Sequence, residues 1–403
     1  MMFHLEKRTP RSNVYRVLIK GAYVAAICFV MFAAVRCIEP FKLEGVSSNP
    51  DFLVVDGFLN ATDGIVTVKL TKALGIQEEG QEYPVVLGAD VRIIADDGVE
   101  YPLQFGDVNS DFPNTYFAQD LTFDTDKKYK LQIIAGLQYE SDFTSIQIAA
   151  PVESLEFEAL DDDVRILVNS AESPASSQYY RWRYEEAFQY NAPLFSSWYM
   201  DEEREMIFRT PEQWVYICYN AAPSNEILIS SSGELSSNAI RNREIKRVSR
   251  GSIKLTRMYT LNVKQMALTE EAYTYWLNLY KTTENTGGLF DPLPGQIFGN
   301  IRCVSDPDQS VIGFFSASTV EEKRIWISRA DLPQAYVNYR HPFCGVDTVL
   351  IPDLEFIAPG TIFGQEVLNN FGFTEGYTIS THSCLDCSFF MRGGTTTKPE
   401  YWP

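Results

Sequence analysis

Short segments of alternating polar and apolar residues follow one another through residues 51–150, and this pattern constrains the fold more than any other feature. Phe52–Leu59 and Ile65–Leu70 alternate in the way that half-buried strands do. Ala89–Ile94 runs directly into Asp96-Asp97-Gly98, which is typical of a hairpin turn because glycine tolerates a positive φ. Roughly seven such segments occur with no helical pattern between them. The sequence therefore predicts an N-terminal immunoglobulin-like or transthyretin-like β-sandwich over this range.

The remainder of the chain, 151–403, is predicted to form a larger β-rich domain. Tyr179–Glu186 alternates aromatic residues with arginines, as a strand with one buried face does. One inserted helix is predicted at about 269–285, where Thr269 can cap the first turn and two glutamates complement the helix dipole. After Ala330 the chain is rich in proline, glycine and aromatic residues, which predicts irregular backbone. The fold class is therefore mainly β.

A short apolar segment that ends in a cysteine lies near the start of the chain. The fifteen residues Gly21–Val35 follow a basic stretch and are too few to span a bilayer, which needs about 20 apolar residues. The sequence predicts a lipoprotein signal peptide at 1–36, lipid attachment at Cys37 and a polar tether at 37–50. Because Arg36 stands where a small residue is usual, an uncleaved signal anchor and a soluble secreted protein are the alternatives. Each of them places the body outside the inner membrane.

The charge of the chain is strongly negative. The formal net charge is −19, and residues 1–36 contain six basic side chains and one acidic side chain, so their removal lowers it to −24. Such a charge repels phosphates and anionic lipid headgroups, so the sequence predicts no nucleic-acid partner. The one basic cluster lies between Arg241 and Arg250. Residues 232–250 are predicted to be a solvated polar connection, with a docking face for an acidic partner as the alternative.

Cysteine usage agrees with export to an oxidising compartment. Cys28 belongs to the predicted signal peptide and Cys37 to the lipid site. The five cysteines that remain are Cys218, Cys303, Cys344, Cys384 and Cys387. Exported cysteines tend to pair, and five is an odd number, so at least one thiol is left over or pairs elsewhere. We expect disulfides to pin the C-terminal tail.

No metal site or cofactor is predicted. His341 and His382 lie close to three of the cysteines, so a zinc site is the alternative to disulfides, although zinc thiolate sites belong mainly to reducing compartments. The acidic turns Asp96-Asp97 and Asp161–Asp163 are interpreted as solvated loops. Calcium binding is the alternative there, but neither turn contains a calcium-loop motif.

Six side chains are candidate contacts for a ligand or a partner protein. They are Trp182, Tyr184, Trp198, Tyr199, Arg243 and Arg247. The aromatic residues among them are most simply explained as a sheet core, because aromatic side chains bury large areas. The alternative is a platform on which sugar rings or a partner chain stack.

The sequence predicts that the protein is not an enzyme. It contains no nucleophile elbow, metalloprotease helix, phosphate-binding loop or dinucleotide fingerprint. Both histidines after the signal peptide lie near cysteines, which disfavours a histidine general base. A pair of carboxylates in a glycan-active hydrolase is the catalytic alternative, because its spacing is not readable from a sequence.

Several segments of the chain together resemble a known family. They are Cys37–Phe41, Leu53–Gly57, Tyr179–Trp182, Glu185-Glu186, Ile217–Tyr219, Asn225–Ile229, Leu268–Tyr273 with Trp276, Gly288–Pro292, Gly299–Ile301, Cys384 with Cys387, and Lys398–Trp402. On these residues the chain resembles a large family of Bacteroidota outer-membrane lipoproteins, which is described as a domain of unknown function and is often encoded beside SusC-like TonB-dependent transporters. The resemblance extends over nearly the whole chain after the signal peptide.

The resemblance implies a lipid-anchored protein of the outer membrane and leaves exposure at the cell surface open. It also implies two disulfides among Cys218, Cys344, Cys384 and Cys387, with Cys303 unpaired and three connectivities open. We therefore expect a non-catalytic accessory to a TonB-dependent β-barrel transporter, acting in substrate capture or uptake. The alternative is a structural or assembly subunit of an outer-membrane complex.

Overall fold

A computed structural model describes residues 52–73, 84–172, 177–233, 239–284, 297 and 299–403. The predicted signal peptide 1–36, Cys37 and the predicted tether up to residue 50 lie outside the described residues. In the part of the chain that is described, no helix has the length and apolar character needed to cross a membrane. Strands predominate over helices, which confirms the predicted mainly β fold class.

The described strands are numbered along the chain. They are β1 (Leu53–Asn60), β2 (Ile65–Lys72), β3 (Asp90–Ala95), β4 (Glu100–Phe105), β5 (Tyr116–Ala118), β6 (Lys128–Ala135), β7 (Leu137–Ser141), β8 (Thr144–Ser145), β9 (Val152–Ala159), β10 (Asp163–Ser170), β11 (Tyr179–Asn191), β12 (Trp198–Met200), β13 (Met206–Phe208), β14 (Ile217–Pro223), β15 (Leu228–Ser231), β16 (Arg243–Ser249), β17 (Met258–Leu268), β18 (Ile301–Cys303), β19 (Val311–Ser318), β20 (Val320–Ser328), β21 (Asp347–Leu350), β22 (Ile362–Leu368) and β23 (Thr374–Ile379). The described helices are α1 (Glu270–Glu284), α2 (His382–Leu385) and α3 (Cys387–Phe390). Short 3-10 turns occupy Pro211–Gln213, Ile253–Leu255, Arg329–Asp331 and Ile351–Phe356.

The N-terminal strands form most of a ten-stranded sheet that nearly closes on itself. Its order is β18-β7-β6-β3-β4-β5-β2-β1-β19, with β8 paired to β6, and β19 runs parallel to β1. The side-chain amide of Asn300 both donates to the backbone carbonyl of Phe315 and accepts from its N–H, each at 2.8 Å. This side chain therefore links the β18 end of the sheet to β19. Two strands from 301–318 thus complete the sheet that begins with the predicted sandwich at 51–150.

The alternating pattern of the N-terminal strands has the expected cause. Along β1 every second residue is buried, from Leu53 to Leu59. These side chains join an apolar core inside the curved sheet that includes Leu70, Ile93 and Phe315. Burying one face of each strand is what period-two alternation achieves.

A five-stranded central sheet and a three-stranded sheet enclose the second core. The central sheet has the order β14-β11-β17-β20, with β15 also paired to β11, and the other sheet has the order β16-β10-β9. Val164, Ile166 and Val168 of β10 share a core with Tyr180 and Trp182 of β11. The segment 232–250 was predicted to be a polar connection, and this prediction is wrong over β16. That strand pairs with β10 through a register shift and buries Ile245 and Val248, while its basic residues keep some exposure.

A smaller C-terminal sheet has the order β13-β12-β22-β23-β21. The prediction of irregular backbone after Ala330 is therefore wrong for three strands, although the segments around them are irregular. The sheet has a small core of its own, formed by Met200, Phe363 and Tyr377. Strands β12 and β13 come from much earlier in the chain than β21–β23, a long-range pairing that local patterns do not reveal.

One disulfide connects the C-terminal tail to the rest of the protein, and a second lies within the tail. Cys218 of β14 pairs with Cys387 of α3 across 169 residues, and Cys344 pairs with Cys384 of α2 across 40. Cys303 is free and buried. This confirms the expectation of two disulfides with Cys303 unpaired and selects one of the three connectivities. The zinc alternative is overturned, because the thiols are oxidised, and no cluster of possible metal ligands occurs among the described residues.

Helix α1 matches the predicted inserted helix at about 269–285. The hydroxyl of Thr269 accepts a hydrogen bond from the N–H of Ala272 at 3.1 Å, as a cap of the first turn should. Ala272, Tyr275 and Trp276 bury their side chains. They pack in a small cluster that also contains Phe314 of β19, so the helix rests on both large sheets.

Candidate binding cleft

Strand β11 carries aromatic residues and arginines at alternating positions. Its aromatic residues Tyr180, Trp182 and Tyr184 point into the central core. The alternating residues Arg181 and Arg183 therefore lie on the opposite face, where helix α1 packs against the strand. The alternation that builds the core therefore also places Arg181 and Arg183 side by side on the face of β11 that packs against helix α1.

Arg181 is almost completely buried, with 9% of its surface exposed. Its guanidinium lies over the indole ring of Trp276, 3.4 Å from the ring centre. Among the described residues, neither Nε of Arg181 nor Nε1 of Trp276 has a hydrogen-bond partner, and both atoms are buried. Burial, together with the charge of Arg183, lowers the pKa of Arg181 to about 9 despite the opposing charge of Asp56. The side chain is still a cation at neutral pH.

Arg183 has a carboxylate partner, whereas no carboxylate in the described part of the chain lies at ion-pair distance from Arg181. A guanidinium nitrogen of Arg183 lies 2.9 Å from Oδ2 of Asp56, which comes from β1. Burial alone would raise the pKa of Asp56, but the charges of Arg183 and Arg181 outweigh it and the pKa is lowered. The Asp56 carboxylate is therefore ionised at neutral pH and neutralises Arg183.

A second neutralised pair lies beside the first. Nζ of Lys246 donates to the Tyr184 hydroxyl at 2.7 Å and to Oε1 of Glu226 at 2.9 Å, and the hydroxyl donates to the same carboxylate at 2.9 Å. Burial raises the pKa of Tyr184 to about 12. The pKa of Lys246 is raised, because the hydrogen bonds to Tyr184 and Glu226 outweigh its burial. Glu226 and Lys246 therefore cancel each other's charge.

These groups line one concave cleft of about 690 Å³. Its walls are Asp56, Arg181, Arg183, Tyr184, Pro223, Ser224, Asn225, Glu226, Ile227, Trp276 and Leu279. Within the described ranges, Asp56 is paired with Arg183, Glu226 is paired with Lys246, and Arg181 has no ion-pair partner. The cleft therefore holds one uncompensated positive charge in a chain that is otherwise strongly acidic.

The six predicted contact residues do not come together at one site. Trp182 is fully buried and its indole N–H donates to Gln265 at 2.9 Å, so it is a core residue and its prediction as a ligand contact is wrong. Tyr184 is also buried, although its hydroxyl reaches the cleft. Trp198 and Tyr199 lie half-buried on β12 of the C-terminal sheet.

Arg243 and Arg247, the other two predicted contacts, lie on β16 in the basic cluster. Arg247 pairs with Glu244 at 2.8 Å and with Asp163 at 3.4 Å. The neighbouring Arg241 and Arg250 pair with Glu153 and Asp162. Arg241, Arg247 and Arg250 are neutralised by their own neighbours, which favours the solvated interpretation over an acidic-partner surface.

A different surface carries a concentration of exposed aromatic side chains. All but one of the strongly exposed phenylalanines in the described part of the chain lie on the C-terminal sheet or on segments beside it. These C-terminal-sheet phenylalanines are Phe208, Phe343, Phe356, Phe371, Phe373 and Phe389, exposed by 60–96%. Phe371 and Phe373 sit in the turn between β22 and β23, where Oδ1 of Asn369 accepts from both of their N–H groups. The tip of this hairpin is therefore an ordered turn.

Sequence reasoning missed the cleft because its residues are far apart in the chain. Asp56, Arg181 and Trp276 come from two strands and a helix. The available signal was the position of two arginines on an otherwise aromatic strand. The same three residues fall in segments through which the family resemblance runs, but nothing in those segments shows that they meet.

The sheets, the cleft and the disulfides define a mainly β, disulfide-bonded protein with a charged cleft between strand β11 and helix α1. Residues 38–324 match the family described as "Domain of unknown function (DUF4249)". The match covers well over half of the chain, so the protein belongs to this family. No curated protein matches the chain.

Proposed function

We propose that the protein is a non-catalytic lipoprotein of the cell envelope, accessory to a TonB-dependent outer-membrane transporter in substrate capture or uptake. Its lipid would be carried by Cys37, and its origin would be the Bacteroidota, where genes of this kind stand beside SusC-like transporters. The proposal requires a surface that binds a partner protein. The C-terminal-sheet phenylalanines are the observation that carries it.

Exposed phenylalanines are energetically costly in water. Burying one phenylalanine side chain is worth about 1.5–3 kcal/mol, and single-chain proteins seldom leave several of them grouped at a surface. Aromatic residues are enriched in the centres of protein interfaces, where they bury large areas. A partner that covers the C-terminal sheet would gain this free energy on binding.

The charge of the protein favours a protein partner over a bilayer. The chain has a net charge of −19, and anionic lipid headgroups would repel it. Two disulfides hold the segments that flank the C-terminal sheet, so little conformational entropy is lost when the sheet docks. We therefore expect a rigid apolar surface of a β-barrel protein to be the partner.

The cleft favours binding over hydrolysis. Glycoside hydrolases use two carboxyl groups that are available to the substrate. In this cleft Asp56 is paired with Arg183, and Glu226 is paired with Lys246 and Tyr184. The charges of Arg183 and Arg181 lower the pKa of Asp56 against the effect of burial, which makes that carboxyl a poor general acid, and the carboxylate of Glu226 is occupied by Lys246 and Tyr184.

The test is affinity purification of the full-length protein from detergent-solubilised native membranes. A TonB-dependent β-barrel should co-purify with the wild-type chain and be lost from the double variant Phe371→Ser, Phe373→Ser. Phe143→Ser is the matched control, because Phe143 is exposed but belongs to the N-terminal region. Recovery of other envelope proteins without a barrel would favour the structural-subunit alternative. An unchanged partner in the double variant would reject the proposed surface.

The predicted lipid anchor has a separate test. Replacing Cys37 by serine removes the thiol that acylation requires, so the protein should move from the membrane fraction to the soluble fraction. Immunoblotting of the two fractions measures this. Retention of Cys37→Ser in the membrane would favour an uncleaved signal anchor.

A further inference from the structure

The cation of Arg181 lacks the compensation that buried charges usually have. Its side chain is nine-tenths buried and lines the cleft, yet no carboxylate of the described residues lies within ion-pair distance. Placing a charge in a protein interior is costly unless the charge is paired and hydrogen-bonded. A cleft that retains such a group needs an anion to complete it.

We propose that this cleft binds the carboxylate group of a small organic acid, with Arg181 as the anchoring residue. The indole of Trp276 covers one face of the guanidinium at 3.4 Å and so fixes its plane. The edge of a fixed guanidinium presents parallel N–H donors that match the two oxygens of a planar carboxylate. The site is distinct from the phenylalanine surface and does not depend on the transporter proposed above.

The charges around Arg181 favour a monoanion over a phosphate or sulfate dianion. Among the described residues of the cleft, Arg181 carries the one positive charge without an ion-pair partner, and this charge matches a single carboxylate. The carboxyl groups of Asp56 and Glu226 also line the cleft, and both disfavour a second negative charge on the ligand. A carboxylate leaves the cleft neutral, whereas a dianion leaves it negative.

The remaining walls indicate what the rest of the ligand is like. Pro223, Ile227 and Leu279 offer apolar contacts, and Trp276 adds an aromatic side chain to the lining. A volume of about 690 Å³ is within the range of roughly 300–1,000 Å³ that suits small molecules. The ligand class is therefore a small carboxylic acid with a largely apolar or aromatic body.

The first experiment compares probes on the full-length wild-type protein in detergent by isothermal titration calorimetry. Benzoate should bind, and its neutral analogue benzamide should bind at least about tenfold more weakly. Inorganic sulfate should also bind at least tenfold more weakly than benzoate. Equal affinity for benzoate and benzamide would overturn the proposal, and so would tighter binding of sulfate or no benzoate binding at millimolar concentration.

The second experiment uses variants. Arg181→Met keeps an unbranched side chain against the indole but removes the charge, so benzoate affinity should fall at least about tenfold. Arg324→Met is the matched control, because Arg324 also lies over an aromatic ring, that of Tyr401 at 4.1 Å, but does not line the cleft. Arg181→Lys retains the charge without the fork and should show intermediate affinity, which keeps the test decisive if Arg181→Met does not fold. Unchanged benzoate affinity in the Arg181 variants would refute the assignment.

Discussion

The central sheet and the C-terminal sheet differ in how far their aromatic side chains are buried. In the central sheet Tyr180, Trp182 and Tyr190 are fully buried and form the largest core of the protein. In the C-terminal sheet several phenylalanines remain exposed, and Phe371 is 85% exposed. The central sheet thus covers these aromatic side chains with protein, whereas the C-terminal sheet leaves apolar side chains exposed to solvent. Aromatic content alone therefore does not distinguish a core from a binding surface.

The largest effect is expected from truncating the central core. Trp182→Ala should lower the free energy of unfolding by about 3–5 kcal/mol, because it leaves a cavity and removes the donor to Gln265. Urea denaturation followed by circular dichroism measures this. Phe363→Ala in the small core of the C-terminal sheet is the comparison, since Phe363 is equally buried but lies in a smaller cluster. A smaller loss for Trp182→Ala than for Phe363→Ala would break the contrast between the two sheets.

The second effect concerns the bond that ties the two regions together. Removing the Cys218–Cys387 disulfide by a double alanine substitution should cost about 2–4 kcal/mol, because the bond closes a long loop. Removing Cys344–Cys384 should cost about 1 kcal/mol less, since that loop is shorter. Unfolding of the two double variants under non-reducing conditions gives the comparison. Equal losses would mean that loop length does not govern the stabilisation.

The third prediction concerns a buried residue of the central sheet, Arg181, that we expect to destabilise the fold. Arg181→Met should raise the free energy of unfolding at pH 7 by about 1 kcal/mol, because the cost of a buried unpaired charge exceeds the loss of the stacking contact with Trp276. Arg324→Met, outside the cleft, should not stabilise the protein. Denaturation of both variants beside the wild type provides the measurement, and destabilisation by Arg181→Met would show that the stacked cation braces the fold.

The difference in stability between the wild type and Arg181→Met should depend on pH. Because the pKa of Arg181 is lowered to about 9 by burial and by Arg183, the unfolded chain binds more protons than the folded chain above that pH. The stability of the wild type should therefore rise relative to Arg181→Met as the pH increases through about 9. Unfolding curves of both proteins between pH 7 and pH 10.5 test this, and a stability difference that stays constant would contradict it.

The sequence predicted the mainly β class, the position of helix α1 and the pattern of buried residues in β1 because these depend on local periodicity. It did not predict that β18 and β19 complete the N-terminal sheet, since β19 pairs with β1 across 258 residues and β18 pairs with β7 across at least 160. The sequence also did not predict the strands after Ala330. Burial along β22 does not alternate, because Ile362, Phe363 and Gly364 are buried in succession and the pairing with β23 contains register shifts.

The candidate site was less predictable than the fold. The aromatic alternation at 179–186 correctly suggested a core. The significance of Arg181 depends on its having no carboxylate within ion-pair distance among the described residues, which only tertiary structure reveals. The basic cluster on β16 shows the converse. Its high local charge suggested a docking face for an acidic partner as an alternative. Its ion pairs with Glu153, Asp162 and Glu244 leave little charge to attract such a partner.

The smallest effect on stability is expected at the hairpin between β22 and β23. Phe371→Ser with Phe373→Ser should change the free energy of unfolding by no more than about 0.5 kcal/mol, because both side chains are exposed and the backbone turn is held by Asn369. Asn369→Ala is the comparison, because it should loosen the turn while leaving both phenylalanines in place. A large loss of stability in the phenylalanine double variant would mean that these side chains belong to a core. In that case the C-terminal sheet would be as complete as the central one, and the surface proposed for a partner would lose its physical basis.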